Sequence, residues 1–316
     1  GGPVECNVVE TFDQTGLTAD GEKGYGNGMT YLIDRPMQPT MTSAYTALSS
    51  NSNCSTFFGQ ASYNNPEILD KAGFTTDDMS STEKDTERNK YIIFENNRVQ
   101  DYDVTFFNNY RYTIYVPTNE AMAYAHDVEG LPTWEEIEEW VNANCDPDLV
   151  TDPEQLAANQ AIAQAKILCL VNFLRYHFQD ESIFVDNVTA GATDYETSCV
   201  NRDENVYLKI NVTQSPNSIA LRDESGVNHM VSTTNNNVLV RDNKDVMPTG
   251  GSASSKKYVA STSYAVVHEL SGSSADASDE GFLYFMPKKE GGHTFSSAWE
   301  TAAQAKSFVK KYAIRK

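Results

Sequence analysis

Basic residues are scarce in this chain: 24 Lys and Arg stand against 44 Asp and Glu among 316 residues, a formal net charge of −20. A surface of that sign repels phosphate backbones and anionic lipid at long range, so nucleic acid is not an expected partner. Long apolar runs are lacking as well. The longest apolar patch, "AKILCLVNFL" at 165–174, contains a Lys and an Asn and is too short to span a bilayer. Cysteine is sparse and scattered. Cys6, Cys54, Cys145, Cys169 and Cys199 form no C-x-x-C pair and no zinc-like spacing with histidine, so no metal is expected. Their odd number leaves at least one thiol without an intramolecular disulfide partner, and Cys169, inside an apolar helical run, is expected to be a buried small hydrophobe.

Catalytic signatures are also absent. There is no G-x-S-x-G, no Gly-rich phosphate loop, no G-x-G-x-x-G after a strand and no H-E-x-x-H. The five histidines, His126, His177, His229, His268 and His293, are spread out with no metal-ligand partner at helical spacing. The expectation is a protein without enzymatic activity, catalytic residues or cofactor. A deep pocket joining His177 or His268 to a carboxylate would argue otherwise.

What is present is enough apolar material, 40% of residues with 11% aromatic, to fill a sizeable core. The first 26 residues are polar and glycine-punctuated, and "MTYLI" (29–33) reads as a strand with no partner nearby. Short helices are expected within 42–61 and at 65–74, a solvated loop at 75–90, and strands at 91–100 and 110–117. Thr133 with the early glutamates opens a helix that places Trp134, Ile137 and Val141 near one face. The 153–178 run is the longest helix, with its second half buried. Beyond residue 183 the pattern is short strands, "SIFVD", "NVYLKINVTQ", "SIALRDE", "HMVSTT", "NVLVRD" and "TSYAVVHEL". Helices in the middle and a β-meander behind them make an α+β arrangement. The last helical run, 296–312, either packs Trp299, Phe308 and Val309 or continues as a tail.

Three pieces occur in order: a strand ending in "TIYVPTNEAM", a helix ending in "LVNFLRYHF", and a late strand "SYAVVHEL". Together they resemble the boxes of a fasciclin-like domain, over roughly 40–275. In the first, Pro117 stops a strand, Thr118 or Asn119 caps the next helix and Glu120 favours its positive end. The second carries the family's Tyr-His pair, Tyr176 and His177, and the third its late histidine, His268. The long stretch at 75–109 and the Glu269-Leu270-Ser271 ending are departures, similar to divergent bacterial (Bacteroidetes-type) surface lipoproteins.

The resemblance implies a fasciclin-like β-wedge or sandwich of two sheets, with helices packed along one edge. It implies domains at 1–38 (an extension, or the end of a preceding repeat), 39–275 (with an insertion near 75–109) and 276–316 (a tail with a helix). "NGMTYLIDRPMQP" aligns with "YAVVHELSG" so that Tyr31 falls opposite His268, which motivates an adjacent fasciclin-like repeat. Function by resemblance is adhesion, or binding of a protein or glycan ligand at the cell surface. In the family the Tyr176-His177 pair is tied both to packing, the reading favoured for this helix end, and to ligand binding, with Pro117, Thr118, Asn119, Glu120 and His268 structural. The protein would be extracytoplasmic, at the cell surface or outer membrane, and lipid-anchored through a removed N-terminal segment. The competing expectation is a glycan-binding or accessory subunit of a nutrient-uptake complex, for which "DYDVTFFNNYRY" (101–112) is the source of exposed aromatics.

Overall fold

The computed structural model describes residues 7–13, 28–34, 42–97, 101–104, 106, 111–185, 191–246, 258–272, 279–291 and 293–314. Residues 95–97, 101–103, 241–246 and 258–264 are described by their backbone alone. Residues 1–41 form one unit and 42–316 another. In the first, β1 (Val8–Asp13) pairs antiparallel with β2 (Met29–Ile33). Asn7 donates from its backbone and side-chain nitrogens to the two carboxylate oxygens of Asp34 at 3.1 and 3.0 Å. The strand at 29–33 therefore has a local partner, which its polar, glycine-rich surroundings concealed.

The second unit opens with α1 (Ala44–Ser49), α2 (Ser55–Ala61), α3 (Pro66–Lys71) and α4 (Ser81–Arg88). A ribbon of β3 (Phe94–Asn97) and β4 (Asp101–Val104) follows, then β5 (Arg111–Val116), α5 (Asn119–Asp127), α6 (Trp134–Asn144) and the long α7 (Pro153–Tyr176). Next come β6 (Phe178–Asp180), β7 (Ala192–Asn201), β8 (Val206–Ser215), β9 (Ser218–Arg222), β10 (Asn228–Met230), β11 (Val238–Val246), β12 (Tyr258–Glu269) and α8 (Ala302–Tyr312). The main sheet has eight strands in the order β10-β9-β8-β7-β6-β5-β12-β11. All neighbours are antiparallel except β12 and β5. This is an α+β architecture, a mixed sheet with helices packed along its edges. Between β6 and β7 the ladder narrows to the pair Gln179 and Thr197, within one eight-stranded sheet where two sheets were expected.

Sequence and position agree strand by strand. β5 lies between two neighbours and buries every residue from Tyr112 to Val116, which is why it reads as a continuous apolar run. In β8, Leu208, Ile210, Val212 and Gln214 alternate inward. α6 starts with a full capping box between Thr133 and Glu136 and buries Trp134, Ile137 and Val141. From Ile167 to Tyr176 every residue of α7 is buried. Among the described residues no helix is long and apolar enough to cross a membrane.

Two expectations are corrected, one strand was not expected, and one open alternative is decided. Residues 75–90 do not form a solvated loop: Ser80 and Glu83 make a capping box for α4, Arg88 pairs with Asp70, and the Lys90 carbonyl accepts from the buried Arg175 (3.0 Å). "SIFVD" is not a strand over its described residues. Ile183 N donates to Thr113 Oγ1 and Val185 N to Asn237 Oδ1, so side chains satisfy this backbone in place of a ladder. β7 was missed because its outer half, Ala192–Glu196, is polar and largely exposed. Of the two outcomes open for the last helical run, packing is the one observed, with Phe308 buried and Trp299 and Val309 against the core. Phe282, Leu283, Tyr284 and Phe285 are buried in the main core, and α8 lies along α7. Buried Asn172 of α7 donates to the Tyr312 carbonyl, and Arg202 donates to the carbonyls of Ala313 and Ile314 just past α8.

The chain enters this C-terminal segment through a backbone contact that admits no side chain. A Cβ on Gly272 would lie 2.2 Å from Asp279 Oδ1 and 2.4 Å from Gly281 N, and Gly281 itself adopts φ +77°. Gly59, by contrast, sits in α2 with open space around it. Gly272→Ala should therefore lose about 3 kcal/mol, the upper end of overpacking costs. Gly59→Ala should gain about 0.5–1 kcal/mol through helix propensity. Urea denaturation of the two variants checks both signs.

Candidate functional site

The three motif boxes meet at Tyr115. Its N–H donates to the carbonyl of His177 (2.9 Å), its ring stacks on His268 with centroids 6.0 Å apart, and its hydroxyl donates to Gln179 Oε1 (3.0 Å). The parallel pairing of β5 with β12 sets Tyr115 against His268. After the strand, buried Pro117 ends the run, and Thr118 Oγ1 caps α5 by accepting from Ala121 N (3.2 Å). Asn119 accepts from Thr56 N (2.9 Å) and donates to the Ser52 carbonyl (2.8 Å), tying α5 to α2. Glu120 is exposed in the first helical turn, where its charge suits the dipole.

Tyr176 and His177 are fully buried. His177 donates from Nδ1 to the Phe173 carbonyl (2.8 Å) and accepts at Nε2 from Leu283 N–H (3.0 Å), which fixes its neutral tautomer. Burial holds its pKa down, from 6.5 to about 3, against the opposing pull of the Phe173 carbonyl. His268 is committed in the same manner: Nε2 donates to the Ile183 carbonyl (2.8 Å) and Nδ1 accepts from Asn237 N (3.1 Å). Tyr176 differs in one respect. Its hydroxyl donates to the Lys209 carbonyl (2.7 Å) and accepts from Glu224 N–H (3.1 Å), and both of those residues line an open groove.

That groove has a volume of about 880 Å³ and runs between β8, the turn after β9 and the end of α8. Tyr207, Lys209, Arg222, Glu224, Lys311 and Tyr312 face it. Burial raises the Glu224 carboxyl, and the nearby Asp223, Glu204 and Asp194 charges raise it further, against the Lys209 N–H that lowers it.

Beneath the groove lies a charged group that sequence reasoning did not assemble. Buried His229 bonds through Nε2 to Asp223 (2.9 Å) and through Nδ1 to Asp279 (3.0 Å). Burial alone would lower the imidazole pKa, but bonds to the two carboxylates outweigh it and raise the value from 6.5 to about 9. The carboxylates have further donors: Tyr284 N and Val227 N on Asp223, Gly281 N and Met230 N on Asp279. Nothing in the sequence marks this set, because Asp279 lies 50 positions from His229 and the third member is drawn from another turn.

The described thiols are poor nucleophiles. Burial raises Cys54 to about 12, Cys145 to about 11 and Cys199 to about 12, and Cys169 is raised as well. Among the described residues, no group of three or more His, Cys, Asp and Glu is placed to hold a metal ion. Of the stretch expected to supply exposed aromatics, Phe107, Tyr110 and the Tyr102 side chain lie outside the described residues. Phe106 is half-buried with Arg175 over its ring at 4.5 Å, and Tyr112 is buried. Among the described residues the exposed aromatics are Phe12 and Tyr31, while half-buried Trp140 and Trp299 flank Lys166. No family model, curated protein or solved structure matches the chain.

The two buried histidines act on stability in opposite pH windows. His229 holds its proton more tightly folded than unfolded, so its contribution is complete below about pH 6.5 and is lost as pH rises through about 9. His177 holds its proton less tightly when folded, so its contribution is complete above about pH 6.5 and is lost as pH falls towards about 3. Unfolding free energy from urea melts should peak near pH 6.5, with each histidine adding up to about 1.4 kcal/mol per pH unit on its limb. His229→Gln should flatten the alkaline limb and cost about 3–5 kcal/mol at neutral pH, because it strands two buried carboxylates.

Proposed function

We propose that this chain is a fasciclin-like, non-enzymatic surface protein that holds a protein ligand in the groove above Tyr176. The observation that carries the reading is the position of the motif tyrosine. Its ring is packed away, yet its hydroxyl bridges the Lys209 and Glu224 backbones that form the groove floor. Tyr176 then supports a contact surface without touching the ligand, and His177 secures the core behind it. The groove offers Tyr207, Arg222 and Tyr312 beside charges of both signs, a composition suited to a protein partner. The raised thiols and the fully hydrogen-bonded His177, His229 and His268 favour binding over catalysis.

Two features support the family reading. The boxes converge at Tyr115, and the ladder narrows to a single β6–β7 pair, which would suit a wedge bent at that point. The β1–β2 hairpin is also a local counterpart of β11–β12. Asn7-Val8 opens one and Asn237-Val238 the other, and in both the second strand returns antiparallel. On this reading residues 1–38 are an N-terminal extension that resembles the end of a fasciclin-like repeat, or such an end itself. The surface location and lipid anchor rest on the family resemblance alone.

Adhesion of beads coated with the full chain to epithelial monolayers and to basement-membrane matrix tests the reading. The Tyr207→Ala/Arg222→Ala double variant should weaken binding about tenfold or more, equivalent to about 1.4 kcal/mol. Protease treatment of the target surface should abolish binding and glycosidase treatment should spare it. Beads that do not adhere, or a double variant that adheres like the parent, would refute it.

A further inference from the structure

We infer that the cleft between α6, α7 and the turn at 296–299 is a separate binding site for a neutral pyranose of an oligosaccharide. It shares no residue with the groove and does not rest on the adhesive reading. The cleft encloses about 500 Å³, within the usual ligand-pocket range of roughly 300–1,000 Å³. Trp140 of α6 and Trp299, the last residue of the turn, line it, and both are half-buried. Lys166 of α7 reaches between them, its Nζ 5.7 Å from the Trp140 ring centre and 5.2 Å from that of Trp299.

Trp140 and Trp299 both pack against the core and both line the cleft. The inward stripe of α6 is Trp134, Ile137 and Val141, and Trp140 stands beside it. Indole faces carry negative charge density and accept the polarised axial C–H bonds of a sugar ring. The Lys166 ammonium has no hydrogen bond or ion pair among the described residues, so its N–H groups need an acceptor from outside. Burial lowers its pKa, with Glu136 pulling the other way. The rim supplies the opposite need. Exposed Glu139 and Glu136 are acceptors. His126 forms part of the wall and donates from Nδ1 to the Leu131 carbonyl (2.8 Å), and its Nε2 is sealed from the cleft.

A ligand that answers Lys166 and the two glutamates must accept and donate hydrogen bonds on one edge and present an apolar face to an indole. Hydroxyl groups on a pyranose do both. A carboxylated or sulfated sugar would satisfy Lys166 but meet Glu136, Glu139 and a chain of net charge −20. A quaternary ammonium would suit the indoles but meet the ammonium already between them.

The test is calorimetric titration of the full chain with cellohexaose, maltohexaose, xylohexaose and mannohexaose, with an oligogalacturonate as the anionic probe. At least one neutral hexasaccharide should bind at micromolar to millimolar concentration and the oligogalacturonate should not. Trp140→Ala, Trp299→Ala and Lys166→Met should each weaken binding about tenfold or more. In the unaltered chain the bound sugar should protect Trp140 and Trp299 from N-bromosuccinimide, read by peptide mass spectrometry. Protection at Trp134 should not change, because its indole is buried and donates to the Gln60 carbonyl (3.0 Å). This footprint decides the question even if a variant fails to fold. The proposal is overturned if none of the four neutral sugars binds, if the oligogalacturonate binds in their place, or if binding leaves Trp140 and Trp299 unprotected.

Discussion

Two adjacent amides, those of Leu283 and Tyr284, fasten the C-terminal segment to the core of residues 42–316. Leu283 N–H donates to His177 Nε2 and Tyr284 N–H to Asp223 Oδ2, each from buried backbone to a buried side chain. A buried amide left unpaired costs about 1–3 kcal/mol, so these partners decide whether the segment can enter the core at all. Once inside, Phe282, Tyr284 and Phe285 pack around Phe295, and Phe285 meets Tyr312 of α8. The end of α7, the β9–β10 turn and the C-terminal helix are thereby fastened to one another. His177 can accept only while neutral, and Asp223 is held in place by charged His229. One buried histidine is thus kept uncharged and its neighbour charged, each by the groups that surround it.

The same fastening explains the state of the motif residues. The Tyr176-His177 pair is spent on the interior: His177 on the entering segment and Tyr176 on the floor of the groove. Pro117, Thr118 and Asn119 do comparable work at the other end of β5, where a strand must stop, a helix must start and α2 must be joined. The external surfaces are made by residues outside the motifs. The groove draws on β8, the turn after β9 and α8, while the cleft draws on α6, α7 and the turn at 296–299.

Much of the fold was legible where local chemistry and tertiary position agree. Thr133 with Glu136, the inward triplet of α6, the apolar end of α7 and the alternation of β8 all carry their structure in short sequence windows. α4 was legible in principle, since Ser80 and Glu83 have capping-box spacing, but the charged surroundings masked it. β7 escaped because its outer half is polar, and β1 because it lies among glycines. The Ile183–Val185 backbone could not be read from sequence: its partners, Thr113 and Asn237, are distant in the chain. The sites were less legible still. Asp223, His229 and Asp279 become a group only when β10 and the returning C-terminal segment meet. Trp140 stands beside a helical stripe that looks complete without it.

Native-state hydrogen exchange at the amides of Leu283 and Tyr284 tests the central claim most directly. If the C-terminal segment is a core element fastened through His177 and Asp223, both amides should exchange only through global unfolding. Their opening free energy and urea dependence should match those of Leu170 and Val171 in the middle of α7. Exchange through a smaller opening insensitive to urea, while α7 remains protected, would show that the segment is a detachable flap and would contradict the account.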